Sequence, residues 1–266
     1  MAIPLYINTS DLESISGIIR EATEKVSHAF DKTDDVSVPN AISPHLITKA
    51  LKQFLEVLYR VDSDQYVEHA GSVEYQIAVE GEYYQGVSRE EISEVGNHGL
   101  QLLDTLCEWA RVLNLPYQEH QIKAIMVMVA LWVARHGGKL DSIESVVNTL
   151  AEIANSTAEQ EALADLSYMM GELIDAVSPE TKFDFENADR QQPWRILNLN
   201  RGIIATRSHD TEVMEQAFEE LIRNIPEEAE KFFSQGVKQM DELNYPQHVR
   251  NVVERYYNQS RQRVLH

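Results

Sequence analysis

One cysteine, Cys107, stands among the 266 residues. A single thiol closes no internal disulfide, and a secreted disulfide scaffold is excluded with it. The usual structural zinc spacings are missing for the same reason, since scattered His would have to complete any site. A nucleophilic Cys107 would need an activating base and an electropositive setting. Glu108 beside it supplies the opposite, and Leu106, Trp109 and Ala110 make it a small core residue of a helix. Proline and glycine are scarce, eight and eleven residues, as an all-helical chain requires. No apolar run reaches the roughly 20 residues of a membrane span. Met1-Ala2-Ile3-Pro4-Leu5 has neither the basic nor the apolar region of a signal peptide, so the expected location is the cytoplasm. Basic side chains are also short in supply, 23 against 43 acidic, for a net charge of −20. Such a surface repels phosphate backbones and anionic lipid headgroups, so neither nucleic acid nor membrane is an expected partner. The first consequence of the charge is solubility.

What the chain does have is one apolar segment of unusual character. Ala124 to Ala134 carries no charge, and Lys123 and Arg135 close it. On a helical wheel its apolar residues point in every direction, which places a helix in the middle of a core when it is too short to span a bilayer. Two Met within it and Gly137-Gly138 after it favour helix over strand. A central helix over 118–136 is expected, with other helices packed around it.

Helical spacing and stop signals divide the rest. Ser10 and Glu13 have capping-box spacing before Leu12, Ile15, Ile19, Ala22 and Val26. Ser43-Pro44 opens a second helix. A weaker helical pattern covers Tyr66 to Val79, followed by a turn region from Gly81 to Gly86. Ser88 and Glu91 open a helix to about Leu113, and Leu115-Pro116 joins it to the central one. Asp141 is expected to cap a helix to about Ala154, and Ser156 with Glu159 another to about Val177. Pro193, Asp210, Pro226 and Pro246 open four more. No segment alternates as strands do between hairpin turns. The expected fold is all-α: an irregular bundle of about ten or eleven helices around a buried central helix, without a sheet. The stretch from Ser178 to Gln192 has no helical periodicity, so the expected organisation is a bundle over 1–177, a connector over 178–192 and a C-terminal helical subdomain over 193–266.

Motifs that would announce chemistry are not found: no Gly-rich phosphate loop, no Gly-x-Ser-x-Gly, no His-Glu-x-x-His. Di-metal bundles use Glu-x-x-His, which is absent here. Glu24 and His28, and Glu94 and His98, stand four apart, and Glu91 shares the latter face. Glu91, Glu94 and His98 are the candidate metal ligands, with solvated helix surface as the plainer reading. Asp104, Glu108, Glu119, His120 and His136 are further polar groups that a bundle could gather. Ser208-His209-Asp210 reads as a loop with Asp210 as a helix cap, and Tyr66, Tyr75, Tyr83 and Tyr84 as outer-core packing. No cofactor and no catalytic residue is expected.

Charge placement is uneven. Four Arg and no acid lie between Arg190 and His209, and four Arg and one acid between Pro246 and His266. Their plainest partners are the chain's own carboxylates; a second copy, an acidic protein or a small anion are the others. On the helix opened by Pro193, Ile196, Leu199, Ile203 and Ile204 form an apolar arc expected to face the core. Trp194, Arg195, Asn198 and Arg201 are then expected to face outward as an interaction or anion-binding surface, Trp and Arg being prominent in binding hot spots. Gly202 beside them would admit another backbone. The plainer reading packs Trp194 inward, with the Arg paired to nearby Glu. The leading expectation is a cytosolic helical protein without catalytic activity that binds protein, either its own copies or an acidic partner. An enzyme or sensor holding a small anion through Arg190–Arg207 is the alternative, and a helical metalloprotein built on Glu94 and His98 comes third.

Overall fold

The computed structural model describes residues 12–33, 42–64, 78–79, 82–83, 87–182 and 192–264. The fold is all-α. Its helices are α1 (Leu12–Asp31), α2 (Pro44–Asp64), α3 (Arg89–Val112), α4 (Pro116–Arg135), α5 (Glu144–Ser156), α6 (Gln160–Ala176), the single turn α7 (Pro179–Lys182), α8 (Pro193–Ser208), α9 (Thr211–Asn224), α10 (Pro226–Glu242) and α11 (Gln247–Val264). Among the described residues one short strand pair departs from helix, β1 (Ala78–Val79) with β2 (Glu82–Tyr83), antiparallel, with Ala78 opposite Tyr83. The helical pattern expected through Val79 therefore gives way to a minimal hairpin at its end, and the expected turn region supplies the second strand. Residues 65–77 lie outside the described residues.

The described residues fall into two compact units, one up to Ser145 and one from Val146 onward. In the first, α1 to α4 pack on one another, and α4 lies against α3 and α1. Every residue from Ile125 to Val133 is buried, as the all-round apolar run requires. Gly96 of α3 leaves the space that the Val133 side chain fills, and Cys107 of α3 lies against the Glu119 carbonyl of α4. Rising numbers on α3 thus meet falling numbers on α4, so the two run antiparallel across their short connection. Trp109 ties the unit's other edge together: its indole N–H donates to the Ile42 carbonyl at 2.9 Å, and its ring meets Phe30 edge-on.

In the second unit α8 packs on α6 and α9, and α9, α10 and α11 pack together. Phe218 of α9, Phe232 and Phe233 of α10 and Tyr256 of α11 form a cluster of mostly edge-to-face rings, each good pair adding about 1 kcal/mol beyond its burial. The expected connector over 178–192 sits inside this unit. Residues 179–182 of it are helical, 183–191 lie outside the described residues, and the helices on either side, α6 and α8, pack on each other. The compact division falls instead in the first turn of α5.

Two helix starts differ from expectation. Helix α5 begins at Glu144, three residues after Asp141, whose backbone N–H and carboxylate both bond the side chain of Asn97. Ser156 is the last residue of α5, its hydroxyl donating to the Ile153 carbonyl, and Glu159 precedes α6 without a side-chain cap. The expected box at Ser88 and Glu91 is present in both its bonds. The expected Ser10 cap lies outside the described residues.

Candidate functional site

Helix α8 carries the residues that the charge pattern singles out, and it carries them inside out. Trp194, Asn198 and Arg201 are buried, at 7%, 2% and 3% exposure, whereas Ile203 is 48% exposed. Ile196 and Leu199 are half-buried on the Ile203 side. Of the expected core arc only Ile204 is buried. The covered face lies on the other side because neighbours, not hydrophobicity alone, decide which face of a helix is covered.

The neighbours are set by three arginines. Arg195, Arg201 and Arg207 are spaced by six, and six residues turn a helix by about 600°, so successive side chains point about 120° apart. Three directions mean three partners. Arg195 donates to Glu227 and to Glu228 in the first turn of α10, both at 2.7 Å. Arg201 runs inward between α6 and α9, where its Nε donates to the Ser167 carbonyl at 3.0 Å and Nη1 to Glu220. Gly171 of α6 makes room for that guanidinium, because a Cβ there would stand 2.8 Å from it. Arg207 donates to the carbonyls of Ala154 and Thr157 at 2.9 and 2.8 Å, at the C-terminus of α5, where helix carbonyls lack partners and the dipole is negative. Asn198 bonds the Trp194 carbonyl and receives Asn224 of α9. Phe232 of α10 and Leu221 of α9 fill the space above Gly202, which admits no foreign backbone.

The second arginine-rich stretch is used the same way. Arg250 donates to the carbonyls of Tyr245 and Met240 at the end of α10. Arg255 pairs with Glu215 of α9 at 2.6 Å, and Arg261 stacks over Tyr257. The plainest reading of the charge pattern, pairing within the chain, therefore describes these arginines. Arg190 lies outside the described residues. The indole N–H of Trp194 is buried with no hydrogen-bond partner among the described residues, and Lys182 stands over its ring at 5.9 Å.

The candidate metal ligands are not gathered. Glu91 is engaged in the Ser88 capping box, Glu94 and His98 are exposed on α3, and Glu24 and His28 are exposed on α1. Among the described residues no three His, Cys, Asp or Glu come close enough to hold a metal ion. Asp104 accepts the Ser145 hydroxyl at 2.5 Å, and burial, more than the nearby Glu108 and Glu144, raises its carboxyl above the ordinary range. Glu119 pairs with Arg111 and Lys123. His120 and His136 lie sixteen residues apart on one helix axis, about 24 Å. His136 stacks on Trp132, donates its Nδ1–H to the Trp132 carbonyl at 2.7 Å and presents Nε2 to Asp62 at 3.6 Å. Cys107 is buried, and burial followed by the Glu119 charge pushes its thiol up to about 11. The Tyr66, Tyr75, Tyr83 and Tyr84 side chains lie outside the described residues.

A further junction joins α8 to α9. His209 stands in the left-handed region at φ 60°, between α8 and α9, and Asp210 caps α9 by accepting from the Glu212 and Val213 amides. The Gln160 amide nitrogen meets His209 Nδ1 at 2.8 Å, His248 Nε2 meets the His209 carbonyl at 3.2 Å, and the Tyr245 ring lies edge-on to the imidazole. Only the cap was legible in Ser208-His209-Asp210.

The arrangement defines an all-α protein whose second unit is strung on an arginine-bearing helix, and among the described residues no helix is long and apolar enough to cross a membrane. No family model matches the chain, and no curated protein or solved structure is detectably similar to it.

Proposed function

We propose that this protein acts in the cytoplasm by binding protein, without catalytic chemistry of its own, and that it assembles with its own copies through the outer face of α8. The observation that supports this reading is the 48% exposure of Ile203 on the same side as half-buried Ile196 and Leu199. These positions, 196, 199 and 203, form one stripe on a helix whose Trp194, Asn198 and Arg201 are turned inward. An apolar stripe left in water is unfavourable and gains by being covered. It is also uncharged, so two copies of an acidic chain can meet there about a two-fold axis. The alternative, a small anion held by Arg190–Arg207, asks for guanidinium groups of which Arg195, Arg201 and Arg207 are already engaged by Glu220, Glu227, Glu228 and three carbonyls.

Light scattering tests it directly against the 30.4 kDa chain mass. Wild type should run at a multiple of that mass, and Ile203→Glu at the single-chain mass with unchanged melting, since the position is half in water already. A wild type that runs as a single chain, or an Ile203→Glu variant that assembles like wild type, would sink the reading.

A further inference from the structure

The junction at His209 joins four parts of the second unit: the start of α6 through Gln160, the α8–α9 turn, the α10–α11 connection through Tyr245, and the first turn of α11 through His248. Its bonds specify a neutral imidazole. An amide nitrogen only donates, so His209 Nδ1 must offer a lone pair to Gln160. A proton on Nδ1 would set two donors against each other. The His209 carbonyl in turn accepts a hydrogen bond from His248 Nε2, so the second imidazole sits at the same turn.

The surrounding charges do not offset a proton arriving there. On the α8 side Arg207 is cationic and bound to carbonyls. On the α9 side the Asp210 carboxylate is turned to the helix amides. On the α6 side the contact is the neutral Gln160, with Glu159 and Glu161 its chain neighbours. From α10 and α11 come Tyr245, His248 and the cationic Arg250, the last bound to carbonyls. Gln160 and His248 also stand at the N-terminal ends of α6 and α11, where the dipole disfavours positive charge.

We propose that the His209–His248 junction is an acid-sensitive latch: neutral, it holds the α10–α11 connection to the α8–α9 turn, and protonated, it lets that connection go. Consistent with the geometry, burial and then the His248 charge lower the His209 value below the ordinary 6.5. A base whose folded value is lowered contributes stability that is full above the unfolded value and is lost as pH falls toward the folded one. The working window therefore lies below about pH 6.5.

Hydrogen exchange of the α11 amides in the full chain, corrected for intrinsic rates and followed from pH 7.5 to pH 5 (~2.5 pH units), reads the latch. Protection should fall toward acid by up to about tenfold per pH unit for each extra proton bound on opening. His209→Asn keeps a residue that tolerates the left-handed conformation and should flatten that dependence. Gln160→Glu puts an acceptor where the amide donates, so the protonated ring becomes the bonded one and the loss on acidification should vanish or reverse. A flat wild-type profile, or an unchanged fall in both variants, would overturn the proposal.

Discussion

Arg195 and Arg201 look alike in the sequence and should behave unlike each other. The Arg195 side chain is 21% exposed and its partner Glu227 more so, whereas Arg201 is 4% exposed against Glu220. Surface pairs contribute about 1 kcal/mol or less, while removing one member of a buried pair costs about 3–5 kcal/mol. Arg201→Glu sets two carboxylates together in the core and should unfold the second unit, Arg195→Glu should cost about 1 kcal/mol, and the pairwise change to Met at 201 and 220 should recover most of the loss; urea melts of the variants check the order. The sequence showed that Trp194, Asn198 and Arg201 share a face, but not that the face is covered, because a guanidinium goes inside only where Glu220, the Ser167 carbonyl and the gap over Gly171 await it, and those lie on two other helices. Cys107 was legible, since its neighbours alone make it core. With its thiol at about 11, only about one in a thousand is thiolate at pH 8, so a thiol reagent should label it slowly in the native chain and at once in denaturant.

Helices were more legible than single contacts, since periodicity averages over many side chains. Helix α4 is the clearest case: a run without charge has no outward face, and nine successive buried residues follow from it. Val129→Asp places an unpaired charge at 0% exposure, and Leu131→Ala opens a cavity worth about 3 kcal/mol. The first should leave little soluble folded protein, the second a folded chain of lower melting temperature; unchanged melting in both would show that α4 is not central. Caps were legible only where the cap and its amides lie in one segment. Asp210 is such a case, and Asp210→Ala should cost about 1 kcal/mol. Asp141 shows the limit of such local reading, because Asn97, far away in sequence, also bonds its carboxylate.

At the scale of the whole molecule, the division of the chain was the least legible feature. A stretch without periodicity marks where a helix stops, not where packing stops. Residues 178–192 interrupt the helical pattern, yet α6 before them and α8 after them are close neighbours, locked by Arg201 reaching the Ser167 carbonyl and lying over Gly171. The two compact units meet along the chain at Ser145 and Val146, where nothing in composition changes. The physical reason is that a compact unit is defined by which helix faces bury each other, and a connector of any composition can sit within it. A specific protease site inserted within 183–191 distinguishes the two readings. If 178–192 divides independent domains, the cleaved halves should part on native size exclusion. If α6 and α8 are packed within one unit, the cleaved chain should elute at its uncut size and give two bands only on a denaturing gel. Arg201→Leu in the cleaved background should then loosen the pair, because it removes a buried charged group that crosses from α8 to the α6 backbone while leaving half-buried Glu220 without that partner. Separation of the halves in the cleaved wild type would return the boundary to 178–192.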